Sequence, residues 1–293
     1  GAGSVGTAAV LTARSEGVEV VVVDPLPQRR ALAVECGATA LASWDELPEV
    51  THALDTTGRP EVVARALRAA GLRSVIETGA RFLLDPRRKH EPTLVSPRIE
   101  DRRRRIEFYR HAIRCAQRLE SRCVSIWSGA VREEAADADL FARLIEGLEE
   151  VLNDAARQGV AIALEPEPGM FIDSQRRFAE LVARFPCESL LMTLDVGHLH
   201  CQGETPIGEQ VRRWKSRLVN VHLDDSVAGR HEHLLFGGGQ IEFAPLVDAL
   251  AEIGYSDGLY VELSRHSHIA PDAARAAFDF LDPLIRRHGH HDA

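Results

Sequence analysis

The sequence has no apolar run near the roughly 18 residues that span a membrane, and no signal peptide is visible. A cysteine framework is missing too. Cys36, Cys115, Cys123, Cys187 and Cys201 are odd in number, scattered and without CxxC spacing. That argues against a disulfide scaffold and predicts free thiols in a reducing cytoplasm. There is no basic surplus: the formal net charge is -9. This argues against nucleic acid as a partner, because a phosphate backbone normally needs a basic face. A small anion is still compatible, since local fields can oppose the net charge. Internal repeats and low-complexity tracts are not evident. The first residue is Gly1 rather than Met, so the true start is expected upstream.

What is present is ordinary for a globular chain: 293 residues, 45% hydrophobic and 27% charged. That allows one large α/β domain, or a barrel with a small appendage. Four short apolar runs end abruptly in a metal-capable side chain. Ala161-Ile162-Ala163-Leu164 ends in Glu165, Leu194 leads into Asp195-Val196-Gly197-His198, Leu218-Val219-Asn220-Val221 ends in His222, and Leu259-Tyr260-Val261 ends in Glu262. Helical patterns lie between and around such runs. Ile106, Tyr109, Ile113, Ala116 and Leu119 share one face over residues 99–119; Leu140, Phe141, Leu144, Ile145, Leu148, Val151, Leu152 and Ala155 form a 3.6-residue stripe. Further helices are predicted over residues 174–184, around 207–214, from near Pro245, and over 271–287.

Strand alternating with helix predicts a parallel sheet. Glu165 to Asp195 is 30 positions and Asp195 to His222 is 27, close to the about 31 residues per unit of a (β/α)8 barrel. The 40 positions from His222 to Glu262 leave room for a short extra strand near residues 234–243. The expected fold is α/β, a TIM (β/α)8-type barrel over residues 52–293, incomplete or closed by a non-native first strand. Residues 1–51 are expected to form a small Rossmann-like βα fragment. Active sites of such barrels sit at the C-terminal strand ends, where Glu165, Asp195, His222 and Glu262 would converge. Three carboxylates and an imidazole suit a divalent ion: Mn, Mg, Co or Zn.

The N-terminal piece opens as GxGxxG, Gly1-Ala2-Gly3-Ser4-Val5-Gly6, before an apolar helix pattern and a strand over residues 18–23 ending in Asp24. Glycines let a pyrophosphate approach a helix N-terminus, and an acid ~20 positions on can grip ribose hydroxyls. With residues 36–40 and 53–58, this stretch resembles the nucleotide-binding domain of medium-chain alcohol dehydrogenases. The strand that should precede Gly1 and that family's catalytic domain are absent from the sequence, so the expectation is a relic that folds but holds no cofactor. Residues 52–58 are predicted to form a strand that serves as the first barrel strand. A helix opening at Arg59-Pro60 and closed by Gly71 follows, then a strand over residues 74–79.

The strand-end motifs Leu164-Glu165-Pro166, Leu194-Asp195-Val196-Gly197-His198, Val221-His222-Leu223-Asp224-Asp225 and Tyr260-Val261-Glu262-Leu263 resemble those of the sugar phosphate isomerase/epimerase family. These are xylose-isomerase-like TIM barrels related to the endonuclease IV type, and the resemblance runs from about residue 72 to 287. It implies that Glu165, Asp195, His222 and Glu262 hold the metal. It also implies that Glu165 and Glu262 form the acid/base pair, moving a proton next to a carbonyl through a metal-stabilised enediolate of a sugar or sugar phosphate. Assembly into a homo-oligomer is a further implication.

Substrate-binding candidates are His198, which fits the family's Asp-x-Gly-His pattern, His231, the strand-end Trp127, and Glu167, which shares strand parity with Glu165. Glu77 also ends a strand and is a weaker substrate-contact candidate, as is His233; His200 reads as a packing or supporting residue. Residues 81–98 read as a long loop on the functional side, with the basic cluster Arg87, Arg88 and Lys89. Arg102 to Arg105 read as a solvated helix face paired with Glu100, Asp101 and Glu107. Gly229 stands where the endonuclease relatives carry a metal-binding Asp before Arg-His, which counts against a nuclease. The alternatives are a metal-dependent lyase or hydrolase on the same barrel (a dehydratase or endonuclease IV-like enzyme), an NAD-dependent oxidoreductase using the N-terminal piece, and an inactive chimera. The expected partner is a small carbohydrate, with no nucleic acid and no membrane.

Overall fold

The apolar runs fold as short strands. In the computed structural model, residues 2–48, 60–69 and 71–288 are described. They form two compact units, Gly1–Ser74 with Gln117–Ser121, and Val75–Ala116 with Arg122–Ala293.

In the first unit Gly3 caps α1 (Ser4–Ser15), followed by β1 (Val21–Val23), α2 (Pro27–Glu35), β2 (Thr39–Leu41) and α3 (Pro60–Ala69). Pro27 opens α2, where its fixed φ suits the first turn and its missing N–H costs nothing. β1 and β2 pair in parallel, Val21 opposite Thr39. The buried cluster is small: Ala2, Val10, Val22, Ala33 and Ala38. The strand predicted over residues 52–58 lies outside the described residues.

The second unit runs β3 (Ile76–Glu77), α4 (Ile99–Leu119), β4 (Val124–Ile126), α5 (Asp137–Arg157), β5 (Ile162–Leu164), α6 (Gln175–Arg184), β6 (Leu190–Asp195), α7 (Val196–Cys201), α8 (Ile207–Arg213), β7 (Leu218–Leu223), β8 (Asp225–Val227), β9 (Arg230–Leu234), α9 (Phe243–Glu252), β10 (Leu259–Val261) and α10 (Ala270–Arg286). Its main sheet has six strands in the order β10-β7-β6-β5-β4-β3, all pairings parallel. This is a TIM-barrel-like α/β fold laid out as a half-barrel, with β3 and β10 as its edges among the described residues. The stripe on α5 packs inward as its period requires: Leu140, Phe141, Leu144, Leu148, Val151, Leu152 and Ala155 are all buried. Each large apolar side chain buried this way contributes about 1.5–3 kcal/mol.

Three expectations change. The extra strand is not at residues 234–243; an antiparallel hairpin, β8 and β9, occupies the loop earlier. The chain reverses at Gly229, whose φ of 74° lies in the left-handed region. The stretch after β9 is then held by a side chain: the Asp225 carboxylate accepts the N–H groups of Gly237 and Gly239 at 2.9 Å and of Ile241 at 3.1 Å. A Cβ on Gly239 would lie 2.3 Å from Asp225 Oδ1, so the loop needs glycine there. The second change is α7, a helix directly after β6 where none is predicted; Asp195 supplies its N-cap, accepting the His198 N–H at 2.8 Å. The third is the arginine run. Arg103 and Arg104 are exposed as expected, but Arg105 is buried and Arg102 reaches Glu146 at 3.2 Å.

Candidate metal and active site

The parallel ladder brings the four strand-end residues together. Asp195 ends β6 opposite His222 of β7. Glu165 follows β5, its N–H bonded to Ile126 O, and Glu262 follows β10, its N–H bonded to Leu223 O. One donor atom from each of Glu165, Asp195, His222 and Glu262 lies within 4.8 Å of the others. His222 Nδ1 is 3.1 Å from Glu165 Oε1, 3.1 Å from Glu262 Oε2 and 3.9 Å from Asp195 Oδ2. Glu165, Asp195 and His222 are buried, while Glu262 is partly open to solvent.

This is a crowd of negative charge around one imidazole. Burial, then the charge of Asp224 and Glu165, pushes the Asp195 carboxyl well up. Burial likewise raises Glu165, with Glu77 and Glu262 adding to it against the pull of His222. Burial would lower His222, but Glu165 and then Glu262 and Glu77 outweigh it and hold the imidazole well above its usual range. Burial would raise Glu262, yet its bond to His222 and that ring's charge hold it down at about 2. A proton on His222 thus offsets part of the carboxylate charge, and a divalent cation offsets the same charge more fully. The donor set fits such an ion. Asp195 Oδ2 is buried without a hydrogen-bond partner among the described residues, and three oxygens plus one nitrogen match a borderline divalent metal.

A second layer orients these groups. Trp127, predicted to face substrate, donates its indole N–H to Glu165 Oε2 at 2.7 Å. Glu77 Oε1 sits 3.1 Å from His222 Nε2, so the imidazole has carboxylates at both nitrogens and Nδ1 is turned to the quartet. Asn220 donates to Glu77 Oε1 at 3.2 Å and to Thr193 Oγ1 at 3.3 Å. Thr193 in turn meets Ser125 Oγ at 2.9 Å, making a buried polar row in the half-barrel interior.

Beside the quartet, Glu167 Oε2 is 3.4 Å from His198 Nε2, and Glu167 Oε1 is 3.7 Å from His231 Nε2. Burial, followed by the charges of Glu165 and Glu262, pushes Glu167 up to about 9. His198 and His231 approach each other at 3.1 Å between Nε2 atoms, and His233 Nδ1 lies 2.8 Å from Asp224 Oδ2. Burial, with His231 and His233 nearby, pulls His198 well below its usual range. All eight predicted site residues therefore share one mouth. Asn220 and Asp224 escape the sequence reading, although a signal exists: both share strand parity with His222 and point to the same interior. Asp224 also explains the glycine of the Asp-x-Gly-His motif, because a Cβ on Gly197 would stand 2.3 Å from Asp224 Oδ1.

With this geometry, comparison with known proteins is specific at the level of family. The chain belongs to the xylose isomerase-like TIM barrel family, whose profile matches residues 30–284. A putative L-ribulose-5-phosphate 3-epimerase of Escherichia coli (strain K12) is 25% identical over 247 residues, covering 81% of this chain and 83% of that protein. An inosose dehydratase of Lacticaseibacillus casei is 26% identical over 141 residues, 42% of this chain and 47% of the relative. The chain thus spans about half the length of that dehydratase. Among solved structures, the IOLI protein with a binding zinc atom superposes with a TM-score of 0.64 at 18% identity, covering 80% of this chain and 84% of that one, a likeness of fold. No helix among the described residues is long and apolar enough to cross a membrane.

Proposed function

We propose that the protein is a divalent-metal-dependent isomerase or epimerase of a sugar or sugar phosphate. The observation that carries this reading is the convergence of Glu165, Asp195, His222 and Glu262 on one point, with Asp195 Oδ2 left unpartnered. When bound there, a divalent ion would hold the substrate's carbonyl and hydroxyl oxygens and stabilise the negative charge that develops when a neighbouring C–H proton leaves. The protein's own part is proton transfer and orientation. Glu165 and Glu262 approach the centre from strands separated by β6 and β7, which suits a base on one face of a sugar carbon and an acid on the other. The Trp127 indole fixes Glu165 Oε2 and so aims the carboxylate. His198, His231 and Glu167 offer hydrogen bonds to sugar hydroxyls along the same wall. Returning the proton from the opposite face inverts the centre, and moving it to the adjacent carbon interconverts aldose and ketose.

The dehydratase relative favours one second reading, loss of water from a cyclic polyol ketone with the same base. By sequence the first 58 residues resemble a dehydrogenase nucleotide-binding domain, with Asp24 in the place of its ribose-binding acid. We assign that unit no cofactor: Asp24 Oδ2 accepts the Ala2 N–H at 2.8 Å and Oδ1 the Leu26 N–H at 2.9 Å. The metal is Mn, Mg, Co or Zn by donor chemistry.

The test is metal content and melting temperature with and without chelator, beside Glu165→Gln and His222→Ala, followed by a panel of ketoses, ketose phosphates and inososes. One equivalent of metal, lost in both variants, is expected. Chelation should lower Tm by about 5–10 °C if the ion stabilises by about 2.7 kcal/mol. No bound metal, and no response to Mn, Mg, Co or Zn, would sink the reading.

A further inference from the structure

The loop between β3 and α4 carries the basic cluster that the quartet does not use, and it is a built feature. Arg81 and His90 adopt φ values of 46° and 64°, left-handed conformations uncommon outside glycine. They are locked to each other: His90 N–H donates to Arg81 O at 2.5 Å, and Arg81 N–H to His90 Nδ1 at 3.1 Å. Behind the loop lies a cavity of about 110 Å³ whose lining includes Lys89, His90, Arg105, Tyr109, Trp127 and Arg132. That is room for roughly three to four waters.

The charge inside is unbalanced. Arg105 is 3% exposed. Its Nε donates to Pro92 O at 2.6 Å, Nη2 donates to His90 O, and the guanidinium lies over the Phe108 and Tyr109 rings at 5.5 and 5.4 Å. Among the described residues no carboxylate comes within ion-pair distance of Arg105 or Lys89. The one acid of the lining, Glu91, is paired with Arg132 at 3.1 Å. A buried guanidinium without a counter-charge is costly, and an arriving anion would supply one. Burial and the charges of Lys89, Arg105 and Arg81 hold His90 down at about 4, a further sign of the positive field.

Trp127 joins this cavity to the quartet. Its N–H is bonded to Glu165 Oε2, and its ring meets His90 edge-on with centroids 5.0 Å apart. The cavity wall and Glu165 are therefore contacts of the same indole side chain.

We infer that this cavity is an oxyanion subsite, formed by Lys89, Arg105 and Arg132, that takes a phosphate or carboxylate at the end of the sugar remote from the reacting carbons. The assignment rests on the isomerase reading for its substrate, but the anion site can be measured without it. The isolated protein is titrated calorimetrically with inorganic phosphate and with acetate, as wild type, Lys89→Gln, Arg132→Gln and the exposed control Arg103→Gln. Phosphate or acetate binding should weaken about tenfold or more in Lys89→Gln, the loss of one charge-assisted contact, and stay unchanged in Arg103→Gln. Tighter binding of phosphate assigns a phosphate ester as the natural group; tighter binding of acetate assigns a sugar acid. KM for the matching ketose phosphate or sugar acid should rise by a similar factor in Lys89→Gln. Binding of neither anion, or binding indifferent to Lys89 and Arg132, overturns the subsite even if neutral sugars are turned over. Lys89-dependent anion binding with no turnover of any sugar upholds the subsite while removing the isomerase reading.

Discussion

Asp24 in the N-terminal unit and Asp195 in the half-barrel hold similar local positions: each stands at the C-terminal end of a short valine- or leucine-rich strand with a helix after it. Their surroundings differ. Asp24 gives one oxygen to Ala2 N–H and the other to Leu26 N–H, and Arg29 stands 3.8 Å away, so its hydrogen bonds and charge are met within its own unit. Asp195 caps α7 with Oδ1 but leaves Oδ2 buried and unpartnered, facing Glu165, His222 and Glu262. A strand-end carboxylate is left available to a ligand only when its neighbours leave it unsatisfied, and a cluster forms only where other strands aim at the same point.

Breaking the half-barrel side should cost most. Glu262→Gln keeps the shape but removes the proposed base and ligand, and kcat should fall about 10²–10⁴-fold; steady-state assays on the best sugar of the panel read this directly. Asp24→Asn, assayed alongside, should leave kcat unchanged. Next in size is the orienting layer. Glu77→Gln takes the carboxylate from His222 Nε2 and should weaken metal affinity about 10–100-fold with the fold intact, measured by competition with a chromogenic chelator. Unchanged affinity would show that Glu77 does not set the imidazole.

A third change sharpens the comparison through packing. Gly197→Ala forces a Cβ against the Asp224 carboxylate, and denaturant unfolding should register about 1–3 kcal/mol. The smallest effect is at Asp24. Burial raises its carboxyl, but the N–H groups of Leu26 and Ala2 and the charge of Arg29 outweigh this and hold it below the usual value. A depressed carboxylate stabilises the folded state above about pH 4 and loses that contribution as pH falls through the lowered folded value. Asp24→Asn should cost about 0.5–1.5 kcal/mol at neutral pH and flatten the acid limb of the stability profile, followed by circular dichroism.

Much of the architecture is legible in the amino-acid order. The stripe on α5 and the alternation of strand and helix follow from periods of 3.6 and 2, which depend on local geometry alone. The four strand-end residues are readable because each interrupts an apolar run at barrel spacing. The hairpin of β8 and β9 is not, because its sequence, Asp225 to Leu234, has no apolar alternation, and the glycine-rich loop that follows it depends on one buried acceptor, Asp225. Arg105 reads like its solvated neighbours because a run of four arginines has no internal mark of which one turns inward.

By itself, then, the sequence determined the class of fold and the identity of the converging quartet, since hydrophobic period and abrupt strand-end polarity are local properties of the chain. Only the tertiary structure decided which carboxylates are satisfied and which are left facing one another. It alone showed that Trp127 holds Glu165, that Glu77 and Asn220 hold His222, and that Arg105 lies buried without a counter-charge. Hydrogen bonding and desolvation are settled by residues distant in sequence, and no local pattern encodes them.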